Sequence, residues 1–245
     1  MRALKPFMTG LRALLILFAM SHAAYAQSCR LALVLALDVS GSVDPQEYAQ
    51  QVQGLAAALD HPEIRDQLLD SAGAPVSLAV FEWSSRNHQF IIQPWIVLDT
   101  PAALDSAIAR IRSHRKIRAG LKTALGTALS FSAALLQDKS HCWFQKVDVS
   151  GDGKNNIGPT PAQIYGSGAF GQITVNALVV GDPTGRTDEA PEDAKHDLLN
   201  YYLAEVIHGP DAFAMIANGY EDYANAMRRK LARELKLPIL GSNDF

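Results

Sequence analysis

The sequence predicts a doubly wound α/β domain: a mainly parallel central sheet of about six strands with one antiparallel edge strand and helices on both faces. Three observations carry this. Apolar runs of strand length alternate with segments of helical apolar spacing from Leu31 to Leu235. Two of the runs end at an aspartate among small residues, in Asp38-Val39-Ser40-Gly41-Ser42 and in Val147-Asp148-Val149-Ser150-Gly151-Asp152-Gly153. A third run holds Pro94, which belongs at a sheet edge because proline has no N–H to give to a ladder. With 245 residues, 48% hydrophobic and 19% charged, the chain suits one fair-sized globular domain.

The amino-terminal segment is expected to stand apart from that domain. Arg2, Lys5 and Arg12 precede the apolar stretch Leu14 to Met20, and Ala24-Tyr25-Ala26 supplies a small-x-small cleavage signal. This pattern predicts a signal peptide over 1–26, leaving 27–245 as a single domain exported to the periplasm or the medium. A membrane anchor is the competing reading, but the stretch is far short of the roughly 20 residues a span needs. A lipid anchor on Cys29 is a further alternative, for which Ala26-Gln27-Ser28 is a poor leader. Loss of the leader removes three positive charges and no negative ones, taking the formal charge from −3 to −6. Such a protein is not built for unspecific nucleic-acid binding.

The run Leu31 to Leu37 reads as a buried strand. After it, Asp44-Pro45-Gln46-Glu47 offers a helix cap, a proline for the first helical position and a glutamate to close a capping box. Tyr48, Val52, Leu55 and Leu59 continue at helical spacing to about Asp60. Val76 to Trp83 and Gln89 to Val97 are strand candidates joined by a short connection that suits a hairpin, which makes the edge strand antiparallel. Helical spacing returns over 102–111 and 123–136, followed by a buried strand over 143–149 and a loop rich in Gly, Asn and Pro over 151–161. Ile173 to Val180 is a further strand ending at Gly181-Asp182-Pro183, and Thr184 to Asp193 is a polar surface loop. A helix over 194–207 and a short strand over 213–216 precede a closing amphipathic helix. Its Tyr223, Met227, Leu231 and Leu235 share one face, with Arg228, Arg229, Lys230 and Arg233 elsewhere. That basic set has two readings, a solvated face on a core-packed helix or a membrane contact.

Two cysteines in an exported chain raise the prospect of one disulfide. Cys29 lies nine positions before Asp38 and Cys142 ten before Asp152, so two neighbouring parallel strands would bring both sulfurs to one edge of the sheet. A bridge and two buried thiols both remain open. At the opposite edge, Asp38, Ser40 and Ser42 offer one carboxylate and two hydroxyls, hard oxygen donors that suit a small divalent cation better than zinc. A helix cap is the plainer reading of these three alone. Ligands of doubly wound sheets sit at the carboxyl ends of the strands near the switch in winding, where Asp152 and the helix starting near Thr123 would also arrive.

Taken together, these segments resemble the metal-ion-dependent adhesion site of von Willebrand factor type A domains. That motif is Asp-x-Ser-x-Ser, then a Thr in a loop before a helix, then an Asp in a Thr-Asp-Gly-like strand end. Asp38, Ser40 and Ser42 match the first part. Thr123 matches the second, with Gly120 before it and Ala128-Leu129 after. Asp152 matches the third, with Ser150-Gly151 in place of the usual Thr and Asp148 as the near competitor. The resemblance covers about Cys29 to Leu237. More narrowly, Leu-Asp-Val-Ser-Gly-Ser-Val-Asp, Ser-Gly-Asp-Gly-Lys-Asn-Asn and Ala-Asn-Gly-Tyr-Glu-Asp-Tyr are similar to an exported bacterial family that carries this domain and has no assigned function.

The resemblance implies an interaction module. Mg²⁺, or Mn²⁺ or Ca²⁺, would be held by the five residues, with one coordination position left for an Asp or Glu of a partner protein. Arg112, Arg115, Lys116 and Arg118 crowd the approach to Thr123, either as a collar steering an acidic ligand or as a solvated helix end. The histidines form no close pair in sequence, so zinc is not indicated. The rival belongs to another class. Gly151-Asp152-Gly153-Lys154-Asn155-Asn156 also resembles the late metal motif of haloacid-dehalogenase-like phosphatases, with Asp38 as nucleophile. That family's general acid would have to be Ser40, and Asn156 stands where its second acidic residue is expected.

Overall fold

The architecture is that of a computed structural model, described over residues 29–70, 74–117, 120–181 and 193–236, with side chains from 197 onward in the last stretch. Six strands form one sheet: β1 (Leu31–Asp38), β2 (Val76–Trp83), β3 (Gln89–Leu98), β4 (Phe144–Gly151), β5 (Thr174–Gly181) and β6 (Ala214–Asn218). Their order is β3-β2-β1-β4-β5-β6. All pairings are parallel except β2 with β3. The edge strand β3 carries Pro94 inside a register shift, where the missing N–H interrupts no regular ladder.

β1, β2 and β5 are buried along their whole length, as strands covered on both faces must be. Alternation along β1 divides the core: Leu31, Leu33, Leu35 and Leu37 enter one cluster, and Ala32, Val34 and Ala36 the other. The first cluster is closed by helices α1 (Pro45–Asp60), α2 (Pro62–Leu69), α3 (Pro101–Ser113) and α7 (Tyr223–Glu234). The second is closed by α4 (Leu125–Gln137), α5 (Pro161–Gly166) and α6 (Asp193–Tyr201), the last continued by a π-helical turn, Tyr202–Val206. The predicted cap forms at α1: Asp44 Oδ1 accepts from the amides of Gln46 (2.7 Å) and Glu47 (2.9 Å), and Glu47 Oε2 accepts from the amide of Asp44 (2.8 Å).

Two helices were not read from the sequence. α2 starts at Pro62 after His61 breaks the helical path of α1, and α5 starts at Pro161 behind a Thr160–Gln163 capping box. Both are too short for apolar spacing to announce them. β4 runs to Gly151, two residues further than expected, so Asp152 stands directly at its end.

Cys29 and Cys142 are joined in a disulfide, with Cα atoms 4.5 Å apart. The β1–β4 register explains the fit. Leu31 lies opposite Phe144, and two residues back the cysteines face each other, held by the Trp143 amide donating to the Cys29 carbonyl (2.8 Å). Of the two readings left open, the bridge holds. The expected signal peptide over 1–26 and Arg118 lie outside the described residues. No helix among the described residues is long and apolar enough to cross a membrane.

Candidate metal centre

The sheet reverses its winding between β1 and β4, and a crevice opens where the two crossover connections part. Asp38 ends β1 on one side of it and Asp152 follows β4 on the other. From there the backbone turns through Ser40 and Ser42 into α1, while the loop before α4 delivers Thr123 from above.

These five residues meet in one chain of hydrogen bonds. Thr123 Oγ1 donates to Ser40 Oγ (3.3 Å), Ser40 Oγ lies 3.2 Å from Ser42 Oγ, and Ser42 Oγ donates to Asp152 Oδ1 (2.7 Å). Asp38 is fully buried, and its Oδ1 accepts from the Ser40 amide (2.8 Å). Its Oδ2 is buried without a hydrogen-bond partner among the described residues. Gly151 keeps space beside that oxygen: a Cβ there would stand 3.1 Å from Asp38 Oδ2 and 2.5 Å from the Tyr202 hydroxyl.

Two acids share this crevice, Asp38 wholly buried and Asp152 partly so. Burial, then the nearby charge of Asp152, pushes the Asp38 carboxyl up to about 8, against the pull of the Ser40 hydrogen bonds and of Lys116. Burial also raises Asp152, opposed by hydrogen bonds from Ser42 and Tyr220. A buried carboxylate oxygen left unpaired is unfavourable unless something positive reaches it. The donor set fits a hard cation: carboxylate and hydroxyl oxygens, with a free carboxylate oxygen beside a glycine.

Residues outside the motif hold this set. Asn156 Oδ1 accepts from the Thr123 amide (2.9 Å) while the Asn156 amide donates to the Thr123 carbonyl (2.9 Å), a reciprocal clamp. Asn155 Oδ1 caps α4 at the Gly126 amide (3.2 Å). Ser84 Oγ and Ser85 Oγ accept from the amides of Gly120 (3.0 Å) and Lys122 (3.3 Å), and the Tyr220 hydroxyl donates to Asp152 Oδ2 (3.3 Å). The Asn-Asn run is visible in the sequence, but its hold on Thr123 and Gly126 is a contact across about 30 positions of chain that no local spacing announces. The signal for Ser84 and Ser85 was only that two hydroxyls follow a buried strand.

The competitor Asp148 lies elsewhere. Midway along β4, it pairs with Lys230 of α7 (2.6 Å) inside the core. Of the basic residues before Thr123, Lys116 is beside the rim, with Nζ donating to the Val43 carbonyl (2.7 Å) and lying 5.7 Å over the Tyr48 ring. Arg115 is exposed next to it. Arg112 instead pairs with Asp60 (3.3 Å), at the end of α1 away from the rim. Two histidines that stood apart in sequence, His88 and His114, both reach buried Glu82, at 3.2 and 3.3 Å. His141 lies near Cys29 and Cys142, whose sulfurs are already bound to each other.

Comparison with known proteins places the chain. The family DUF1194, described as protein of unknown function, matches residues 28–239. The chain belongs to this family. No curated protein matches this DUF1194 chain in sequence. Its fold is that of von Willebrand factor type A domains. It superposes on such a protein from Catenulispora acidiphila with a TM-score of 0.57 at 17% identity, over 84% of this chain and 43% of that one. The pilus adhesin SpaC from Lactobacillus rhamnosus GG gives 0.57 at 14%, over 85% and 30%. Proximal thread matrix protein 1 from the mussel byssus, in a form whose metal-ion-dependent adhesion site is occupied by zinc, gives 0.51 at 16%, over 85% and 48%. The DUF1194 chain thus spans less than half the length of each of these three.

Proposed function

We propose that this chain is an exported, divalent-cation-dependent binding module that takes an acidic residue of a partner protein at the crevice between β1 and β4. The observation that carries the reading is the unpartnered, buried Oδ2 of Asp38 beside the hydroxyls of Ser40, Ser42 and Thr123. Asp38 and the three hydroxyls would face the cation, with Asp152 behind them through Ser42. Mg²⁺ wants about six oxygens and keeps waters readily, so a partner carboxylate has a position to enter. Two protein carboxylates at most balance the ion's charge, and Lys116 adds a positive charge at the rim. The adhesin and matrix proteins among its structural relatives suit this reading.

Export is supported by the disulfide, which belongs to oxidising compartments. The phosphatase reading asks for a general acid two residues after Asp38. Ser40 stands there, engaged with Thr123 and Ser42, and no observation favours that chemistry. Calorimetric titration of Mg²⁺ into the wild type and into Asp38→Ala tests the proposal. Saturable binding by the wild type and none by the variant is expected. Equal binding, or equal thermal stabilisation of both, sinks it.

A further inference from the structure

Beside the crevice the surface carries an apolar knob. Leu121, two residues before Thr123, is 82% exposed, far more than any other large apolar side chain among the described residues except Trp143 at 59%. Isolated exposed leucines are ordinary, but the setting of this one is not. It rests on Gly41, the residue between Ser40 and Ser42: a Cβ on Gly41 would stand 3.0 Å from the Leu121 carbonyl oxygen and 3.2 Å from its Cδ2. Gly41 and Ser42 are themselves exposed, so the leucine and the opening over the hydroxyls form one continuous surface.

The loop beneath Leu121 is fixed from both sides. The Gly120 and Lys122 amides are bound by Ser84 and Ser85, and the Thr123 amide by Asn156. A partner therefore meets a leucine backbone already ordered, and little loop entropy opposes its burial. Two basic side chains flank the opening, Lys122 exposed next to the leucine and Lys116 donating to the Val43 carbonyl just before α1, beside the crevice acids Asp38 and Asp152 and Glu47 of α1.

We infer that the partner of this site is a protein segment in which an Asp or Glu stands directly beside a large apolar residue, the acid entering the crevice and its neighbour packing on Leu121. This rests on the metal-dependent reading above and adds the partner's chemistry to it. The cation, with Lys116 and Lys122 beside it, selects the acid, and the leucine selects what stands next to it.

The probe is a displayed library of linear peptides with a fixed central Asp and random neighbours, selected on the full chain in Mg²⁺ and, separately, in chelator. The wild type is expected to enrich, only in Mg²⁺, peptides with Leu, Ile, Met or Phe next to the Asp. Leu121→Ser should bind Mg²⁺ as the wild type does, keep its need for the acid and lose the apolar preference. An enriched peptide should bind it about tenfold more weakly. Enrichment without an apolar neighbour, or equal peptide affinity for both proteins, overturns the inference and leaves the metal site standing. Enrichment indifferent to Mg²⁺, or shared by Asp38→Ala, removes the metal-dependent reading and this one with it.

Discussion

Asn156 shows how a single side chain prepares the crevice. It is exposed and lies outside the five-residue motif, yet it accepts from the Thr123 amide and so fixes where the hydroxyl of the next layer points. Groups that orient ligands in this way typically change metal affinity about 10- to 100-fold when removed. Asn156→Ala should therefore weaken Mg²⁺ binding by roughly that factor in calorimetry, at a stability cost of about 1–3 kcal/mol for the orphaned amide. Asn156→Asp, which keeps the acceptor, should recover most of the loss; no difference between the two variants would assign Asn156 to the surface only. Gly151 admits a sharper test. A methyl group there would meet the Tyr202 hydroxyl at 2.5 Å, so Gly151→Ala should destabilise by about 1–3 kcal/mol. Adding Tyr202→Phe should return part of it in urea unfolding, and strict additivity would show that the clash is not the cause. The convergence of Asp38, Ser40, Ser42, Thr123 and Asp152 is legible because their spacing is local to three short motifs. Asn156, Tyr220 and Tyr202 are not, because what defines them is contact with residues 33 to 68 positions away along the chain.

Among the elements, α7 is anchored to the sheet by charge as well as by apolar packing. Lys230 of α7 is buried between Asp148 of β4 (2.6 Å) and Glu234 of its own next turn (3.2 Å), and Glu234 accepts from Asn176 of β5 (2.7 Å). Burial pushes the Asp148 carboxyl up to about 7 although Lys230 pulls it down and Glu234 lifts it further. A folded value above the unfolded one means that the protonated form is favoured by folding. The associated stability is present below about pH 4 and declines as the pH rises towards 7. Removing the lysine exposes this. Lys230→Met should cost about 3–5 kcal/mol at pH 8, where two buried carboxylates lose their shared cation, and clearly less at pH 5. Urea unfolding at the two pH values decides it, and an equal cost at both would mean that the loss is one of packing. Sequence periodicity reveals α7 and its apolar face, but it places Lys230 off that face, in the set read either as solvated or as a membrane contact. Helical spacing alone cannot tell a solvated lysine from one facing a strand that carries an acid. The same limit hid α2 and α5, whose signals were a proline start and, for α5, a cap rather than a period.

At the scale of the whole molecule, the order β3-β2-β1-β4-β5-β6 sets two chemistries at opposite ends of the same strand pair. Alternating strands and helices were enough to predict the sheet, its antiparallel edge and the convergence of Asp38 and Asp152. The β1–β4 adjacency itself rested on one assumption, that the two aspartates end neighbouring strands. That same pairing aligns Cys29 with Cys142, at the amino ends. Eight residues of β1 separate the bridge from the crevice, about 25 Å at strand rise. The disulfide should therefore govern stability without touching the site. It closes a loop with a sequence separation of 113, for which restriction of the unfolded chain is worth about 4–5 kcal/mol. In a domain of this size that corresponds to a fall in Tm of roughly 10–15 °C. Cys29→Ser/Cys142→Ser, studied well below its own Tm, should show that fall in calorimetry while binding Mg²⁺ with the affinity of the wild type. A variant as stable as the wild type would remove the bridge from the stability of the fold. One that is stable but binds Mg²⁺ poorly would show that the two ends of the sheet are mechanically linked, contrary to a rigid, fully buried β1.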